Sequence, residues 1–336
     1  MVTRRRGSMR TSAHVTRGPI LLVAALAACI HDPDEVEPRP AWTQTAPLPA
    51  PRVDVAVTAL GQRVTVYGGR EAGVLTSSTI ALDPLEETWN PLPDAPIALA
   101  DANLATVSAT LYLLGGLDDT AARGESYALD AAFPEPTWRE LPPMPAGLER
   151  GAAAVVVFPP NIFVLGGATP SGAVSSNLAF NTIANEWTVL PPLPAPRSHG
   201  AAMRMPDGTL IFAGGRDGDQ AFSNVYALRL LGSRFAMEWE ERSPMPTARG
   251  GCAYGTVVDQ LICAGGEAGD TVLAVNESYD PFRDVWTLLP LLPEPRTGTR
   301  GAVVGGRLFV PGGTASAARE PTSTVYVFSF LDTLAP

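Results

Sequence analysis

The sequence contains no lysine, and histidine and cysteine are almost as scarce. All 24 basic residues are arginines, and the 336 residues include three histidines and three cysteines. His14 lies in an arginine-rich N-terminal stretch, which leaves His31 and His199 in the rest of the chain. So few imidazole and thiol groups argue against a zinc site, and they leave His199 as the candidate general base. We expect no cofactor and no metal.

Positive charge is scarce outside the N-terminal stretch. The chain has a net charge of −10, and residues 1–28 hold five arginines and no acid, so the remainder carries −10 − 5 = −15. An acidic surface repels phosphate backbones, and we expect no nucleic-acid partner. With 46% hydrophobic and 17% charged residues, the composition is typical of a globular protein.

A long apolar run is also missing. Residues 20–28 form an apolar run of nine residues, which is too short for a transmembrane helix of about 20 residues. The run follows arginines between Arg4 and Arg17, as the apolar part of a signal peptide does. It ends in Leu26-Ala27-Ala28-Cys29, which resembles the bacterial lipobox. That resemblance implies cleavage of residues 1–28 and lipidation of Cys29; an ordinary secretory peptide is the alternative.

Residues 29–40 are acidic and contain prolines, and we expect an extended tether of roughly 35 Å. The expected location is the bacterial cell envelope, with the lipid anchor as the contact to the membrane. Ile30 follows Cys29 where some bacteria use Asp to retain lipoproteins at the inner membrane, so the outer membrane is favoured. Met9 is an alternative start that gives a shorter leader.

Two features recur along residues 41–336 at intervals near 50 residues. The first is a glycine pair after an apolar run, with spacings of 47, 51, 48, 51 and 47: Gly68-Gly69, Gly115-Gly116, Gly166-Gly167, Gly214-Gly215, Gly265-Gly266 and Gly312-Gly313. The second is a tryptophan before a proline-rich stretch, and it uses every tryptophan in the chain: Trp42, Trp89, Trp138, Trp187, Trp239 and Trp286. Self-similarity of this period predicts a repeat architecture, and a propeller is the expected one.

Each repeat contains four short strand-like segments bounded by turn residues, which predicts an all-β fold. The glycine pair, the segment Tyr279-Asp280-Pro281 and the tryptophan with its prolines resemble the kelch repeat. This resemblance implies a six-bladed β-propeller with four antiparallel strands per blade. The strand around Trp42 is expected to pair with residues 324–330 and close the ring, which removes an exposed edge.

Arginines recur after the tryptophan and proline segments, although residues 98–103 have none. They are Arg52, Arg150, Arg197, Arg249, Arg296 and Arg300. In a propeller they enter the innermost strands from one face, where with His199 they would ring the channel mouth and bind an anion. The alternative is a structural role, in which each arginine bonds carbonyls or acids of the blades.

Two smaller groups have similar alternatives. Cys252 and Cys263 are expected on neighbouring strands in an offset register. They either form a disulfide or are two small buried apolar residues. The acidic pairs in Asp217-Gly218-Asp219 and Asp118-Asp119 are either oxygen ligands for a hard cation or solvated turn residues.

The sequence therefore favours a monomeric, non-enzymatic binding module that recognises a protein or glycan partner through propeller loops. Two alternatives stay open. Some exported kelch-like proteins are mutarotases of acidic sugars, so the resemblance allows a sugar-acting enzyme with the arginines and His199 in its site. The other is a purely structural envelope protein.

Overall fold

The computed structural model describes residues 41–231, 234–236 and 238–329, and these form six four-stranded antiparallel sheets. The predicted signal peptide, Cys29 and the tether lie outside the described residues. Within the described ranges, no helix is long and apolar enough to cross a membrane. The six sheets are the blades of a propeller, and the predicted fold is confirmed.

Strands run outward from the axis in the order of the chain in blades 1 to 5, and in blade 6 the N-terminal strand is added as the outermost one. Blades 1 to 3 comprise Ala56–Leu60, Arg63–Tyr67, Thr79–Asp83 and Thr88–Leu92; Leu104–Val107, Thr110–Leu117, Ala122–Asp130 and Trp138–Leu141; and Ala154–Phe158, Asn161–Leu165, Asn177–Asn181 and Glu186–Leu190. Blades 4 to 6 comprise Ala201–Arg204, Leu210–Ala213, Val225–Leu228 and Glu240–Arg242; Ala253–Val257, Gln260–Ala264, Asn276–Asp280 and Val285–Leu288; and Ala302–Val304, Arg307–Pro311, Val325–Ser329 and Ala41–Thr45.

Antiparallel pairing gives the disc two different faces. On the upper face, the chain enters each first strand and loops from the second strand to the third. Four of these loops are small hairpins: Arg70–Glu71 with Val74–Leu75, Ala168–Thr169 with Gly172–Ala173, Arg216–Asp217 with Gln220–Ala221, and Glu267–Ala268 with Thr271–Val272. The lower face carries the turns between first and second and between third and fourth strands. One of those turns holds the fifth hairpin, Leu230–Leu231 with Arg234–Phe235.

The core is divided into six apolar clusters, one between each pair of neighbouring blades. Leu82 of blade 1 and Phe309 of blade 6 belong to the cluster at the closure, and the other five interfaces are built alike. Because each blade buries apolar side chains on both faces, no blade has a complete core of its own. The small Ala154, Ala201 and Ala253 start first strands, where the blades approach the axis.

Each tryptophan fastens its blade to the preceding one. The six indole N–H groups donate to backbone carbonyls at 2.9–3.2 Å: Trp42 to Pro290, Trp89 to Ala46, Trp138 to Pro93, Trp187 to Pro142, Trp239 to Pro191 and Trp286 to Ser243. The acceptors lie in the turns after the preceding fourth strands. The proline-rich stretch and the tryptophan of the repeat are therefore the two halves of one contact between blades.

Ring closure follows the prediction. The N-terminal strand Ala41–Thr45 pairs antiparallel with Val325–Ser329, and Trp42 lies opposite Phe328. The ring centroids of these two side chains are 5.0 Å apart. The first and last strands of the propeller thus share blade 6, and the last strand is not left as an open edge.

The glycine pair is where the next blade comes closest. At Gly265, which has a φ of +73°, a Cβ would collide with the Arg296 carbonyl oxygen. The N–H of Gly266 donates to that same carbonyl at 2.7 Å. A side chain at Gly265 would push the two blades apart and break this bond.

Burial of the repeated arginines corrects the prediction that they ring the channel mouth. Five of the six are only 1–4% exposed: Arg52, Arg150, Arg197, Arg249 and Arg296. Arg150 donates to the carbonyls of Leu148, Gly166 and Ser176. These side chains lie under the upper loops of their own blades. There they donate hydrogen bonds to buried peptide carbonyls, which would otherwise lack a donor.

Arg249 has the most enclosed ion pair. Its Nη1 lies 2.5 Å from Glu277 Oε2, and the two side chains are 0% and 1% exposed. Thr247 also donates to Glu277, and Arg249 donates to the Cys263 carbonyl. Burial lowers the pKa of Arg249, and Glu277 opposes that shift.

Cys252 and Cys263 form a disulfide with a Cα–Cα distance of 5.5 Å, well within the usual range for disulfides. Cys263 lies opposite Tyr254 rather than opposite Cys252, so the register is offset as the sequence predicts. The bond joins the approach to the first strand of blade 5 to its second strand.

Replacing Glu277 by Gln is expected to destabilise the protein by about 3–5 kcal/mol, because Arg249 keeps a buried charge without its partner. Urea unfolding measures the loss. The matched control is Glu240→Gln, which removes a pair with Arg229 whose side chains are 54% and 45% exposed. The control should cost less than about 1 kcal/mol. Equal losses in the two variants would show that Arg249 does not depend on its carboxylate.

Replacing both Cys252 and Cys263 by Ala is expected to cost about 3 kcal/mol, as for a disulfide that closes a short loop. A reducing agent should lower the melting temperature of the native chain and leave that of the double variant unchanged. A native chain whose melting temperature ignores the reductant would contradict the disulfide.

Candidate functional site

Six residues, one from each blade, surround the axis on the upper face just before the first strands. We call them the axial ring: Asp54, Asp101, Ala152, His199, Gly251 and Gly298. All have left-handed backbones, with φ between 47° and 69°. In the five arginine-containing repeats, the ring residue follows two positions after the buried arginine.

Backbone hydrogen bonds link the ring members around the axis. The N–H groups of five members donate to the carbonyl of the preceding one at 2.6–2.9 Å: Asp54 to Gly298, Asp101 to Asp54, Ala152 to Asp101, His199 to Ala152 and Gly251 to His199. At the sixth step the Thr297 hydroxyl donates to the Gly251 carbonyl at 3.4 Å. This circle of bonds holds the left-handed backbone in every blade.

The left-handed backbone makes the polar members of the ring costly. A residue with a Cβ pays about 1–2 kcal/mol in this conformation, whereas glycine pays almost nothing. Gly251 and Gly298 show that glycine fits the ring. Asp54, Asp101 and His199 therefore keep their side chains at the axis against a local penalty, as residues of functional sites do. Ala152 bears the same penalty with only a methyl group.

Asp101 and His199 form a pair across the mouth. Asp101 Oδ1 lies 3.4 Å from His199 Nε2, and the side chains are 17% and 12% exposed. His199 Nδ1 lies 3.1 Å from the Ser198 hydroxyl, which donates to the Arg216 carbonyl at 3.1 Å. Both ring nitrogens of a protonated His199 thus have acceptors in place.

The two ring carboxyls differ in acidity. Burial, and then repulsion by Asp101, raises the pKa of Asp54 to about 6, although Arg319 opposes the rise. Burial would also raise the pKa of Asp101, but His199, Arg300 and Arg319 outweigh it and lower that pKa. Asp101 therefore stays ionised under conditions in which Asp54 takes up a proton. Burial lowers the pKa of His199, and Asp101 opposes that shift.

Arg319 joins three blades above the ring. It comes from the upper loop of blade 6, donates to Asp54 of blade 1, and places Nη1 3.7 Å from Glu267 of blade 5. Glu267 lies in turn 3.1 Å from Arg216 of blade 4. Charges of opposite sign therefore alternate around the mouth. A cavity of about 160 Å³ opens beside them, lined by Arg216, Glu267, Gly269, Asp270, Val272, Ser316, Ala317 and Arg319.

Tyr254 lies deeper in the channel. Its hydroxyl accepts from the Val155 N–H at 2.8 Å and donates to the Val155 carbonyl at 3.1 Å, so the side chain spans from blade 5 to blade 3. Arg300 is half-buried and close enough to act electrostatically on Asp101, His199 and Tyr254. The upper mouth is therefore a pit with charged walls and a tyrosine crossing the channel.

Among the predicted site residues, the structure brings His199 and Arg300 to the mouth, while the five buried arginines stay behind it. Sequence reasoning missed Asp54, Asp101, Tyr254, Glu267 and Arg319. Alignment of the repeats on their glycine pairs would have placed Asp54 and Asp101 in one column with Ala152, Gly251 and Gly298, and His199 one position before that column.

The predicted cation ligands form hydrogen bonds within their own loop or with the loop of a neighbouring blade. Asp118 Oδ1 accepts from the N–H groups of Thr120 and Ala121 at 2.7 Å. Asp217 Oδ1 accepts from the Ala173 N–H at 3.4 Å. Across the part of the chain that the structure describes, no three histidine, cysteine or acidic side chains are grouped to hold a metal ion.

A known solved structure has the same fold. The chain titled "Structure of YjhT" superposes with a TM-score of 0.71 at 16% sequence identity, over 86% of this chain and 98% of that one. At this identity the likeness establishes the architecture alone.

Sequence relatives carry the family assignment. The family model described as the kelch motif matches residues 51–96 and 149–194. Kelch-like protein terF of Aspergillus terreus is 31% identical over 96% of this chain and 75% of its own length. The human influenza virus NS1A-binding protein is 28% identical over 44% of this chain, a match that spans 24% of that protein. Together with the six closed blades, these matches show that the chain belongs to the kelch-repeat family.

Proposed function

We propose that this propeller is a lipid-anchored binding module of the bacterial cell envelope, non-enzymatic and monomeric, that recognises a protein or glycan partner at the mouth of its axial channel. The observation that carries the proposal is the axial ring, in which three of six positions hold ionisable side chains on left-handed backbone. Cys29 is the proposed anchor, and the outer membrane is the favoured location.

The surroundings of the ring support recognition. Rigid strands hold the ring from below, and upper loops rise around it, the arrangement in which loops commonly bind partners. The NS1A-binding protein carries a protein partner in its name, which supports the same use of the fold here.

The chemistry of the mouth favours a polar partner with charges of its own. Asp54, Arg319 and Glu267 are 12%, 42% and 13% exposed at their side chains, so they are accessible but already paired. A partner with charged or hydroxyl groups can replace these ion pairs, because its own groups then bind the same side chains. Such electrostatic complementarity contributes to specificity and to the rate of association more than to raw affinity.

Asp54→Gly tests the ring directly. The change removes the Cβ penalty and the repulsion with Asp101, but also the ion pair with Arg319, so we expect an unfolding free energy within about 1 kcal/mol of the native value. Partner binding should be lost. The measurements are affinity capture from native envelopes with the full-length protein, and thermal shift against acidic and neutral sugars, which detects ligands of the folded state.

The matched control is Ala152→Gly, which relieves the same backbone penalty without removing a polar group. It should be at least as stable as the native chain and should bind the partner equally well. Capture of the same partner by Asp54→Gly would contradict the proposed site. Failure of the native chain to bind any protein or sugar would instead favour a purely structural envelope protein.

The pair Asp101–His199 beside Arg300 favours one second candidate, a sugar-acting enzyme such as an acidic-sugar mutarotase. Arg300 would bind a carboxylate, and His199 or a neighbouring acid would move a proton. NMR of anomer exchange tests this: acceleration by the native chain and its loss in His199→Gln would establish it. Exchange at the uncatalysed rate with the native chain would exclude the reaction for the sugars tested.

A further inference from the structure

Large apolar side chains project from the turns of the lower face. Leu85, Phe133, Ile183 and Phe282 lie in the turns between third and fourth strands and are 87%, 64%, 84% and 62% exposed. Val258, in a turn between a first and a second strand, is 77% exposed. We call these five residues the lower-face tips.

Three of the tips have the same local structure. The N–H groups of Leu85, Ile183 and Phe282 donate to the side-chain oxygens of Asp83, Asn181 and Asp280 at 2.9–3.0 Å. Each bond spans two residues, as in an Asx turn, and fixes the turn without using its apolar side chain. The tips are therefore held outward in fixed positions.

The distribution of these side chains is one-sided. Ten large apolar residues are prominently exposed among those the structure describes, and five of them are the lower-face tips. The upper loops contribute Val74 and Leu291, while Val189, Val285 and Leu288 lie on outer strands. Single exposed apolar residues are ordinary, but tips on blades 1, 2, 3 and 5 that share one face fit a broad, flat, apolar surface.

The start of the propeller lies on that same face. Ala41 begins the fourth strand of blade 6 and lies opposite Ser329, at the end where the third strand finishes. Residues 30–40 reach at most roughly 35 Å from Cys29. If Cys29 is anchored as in the proposed function, on which this inference rests, the bilayer is within reach of the lower face and behind the axial mouth.

We propose that the lower face docks on the lipid bilayer, with the five tips in its interfacial layer and the axial mouth directed away from the membrane. Apolar side chains buried in the interfacial layer add their own contacts to those of the lipid anchor. Bilayer contact also uses all the tips at once, which a small ligand does not.

Charge on the lower face defines the lipid. Its described turns carry seven acidic residues against three arginines: Glu86, Glu87, Glu135, Asp207, Glu238, Asp259 and Asp284 against Arg229, Arg234 and Arg283. Anionic headgroups repel such a surface, and salt screens that repulsion. The docking surface therefore fits a zwitterionic leaflet rich in phosphatidylethanolamine.

Spin labels on the full-length, acylated protein test the docking. Cys29 is acylated and the other two cysteines are bonded, so Leu85→Cys, Ile183→Cys and Phe282→Cys each supply one free thiol for a nitroxide. Val74→Cys is the matched control, an exposed aliphatic residue of blade 1 on the opposite face. On phosphatidylethanolamine and phosphatidylcholine vesicles, the three tip labels should lose accessibility to a water-soluble nickel reagent and gain accessibility to oxygen. The Val74 label should remain water-accessible.

The outcomes separate the docking from the anchor. An acylated chain that floats with the vesicles while all four labels stay water-accessible overturns the docking alone. A chain without acyl groups by mass spectrometry overturns the anchor and the docking together. Tip labels that are already shielded without vesicles indicate a second copy on this face and overturn the lipid assignment. Phosphatidylglycerol in the vesicles should weaken the shielding, and salt should restore it.

Discussion

Crowding at the axis is the constraint on which the rest of this structure depends. Six first strands meet there, and each blade must approach the next until backbone contacts backbone. The chain meets the constraint with alanines on the inner strands, with glycine pairs that receive the carbonyl of the following blade, and with a ring of left-handed residues bonded around the axis. The interblade apolar clusters and the tryptophan contacts extend the same interfaces outward to the rim.

This constraint also separates scaffold residues from site residues. A position that every blade needs for packing is filled alike in nearly every blade, and the buried arginine is such a position in five of them. A position on the axis faces the channel, where the sixfold repetition makes no packing demand on the side chain. There the blades differ: aspartate, alanine, histidine and glycine share the axial ring, and Arg300 takes a place that is alanine in blades 1, 3, 4 and 5. Variation between repeats, and not repetition, marks the candidate site.

The sequence predicted the fold in detail because few folds place glycine pairs and tryptophans at a fixed period of about 50 residues. Spacing alone gave the number of blades, and the incomplete units at Trp42 and Val325 gave the closure. The candidate site was harder to predict. Periodicity put the arginines just before the first strands, but whether a guanidinium faces the channel or its own blade depends on loop carbonyls that no local pattern reveals. Asp54 and Asp101 match no motif, since their role comes from a ring that exists only after six distant segments meet.

Closure also determines the polarity of the disc. Each blade has four antiparallel strands, so the first strand starts on the upper face and the fourth strand starts on the lower face. Because the N-terminal strand supplies the fourth strand of blade 6, the chain enters the propeller on the lower face. A propeller that began with the first strand of a blade would start beside the axial ring, and a membrane anchor would then hold the mouth toward the bilayer. The choice of closing strand is thus also what puts the proposed partner-binding mouth and the proposed membrane tether on opposite faces.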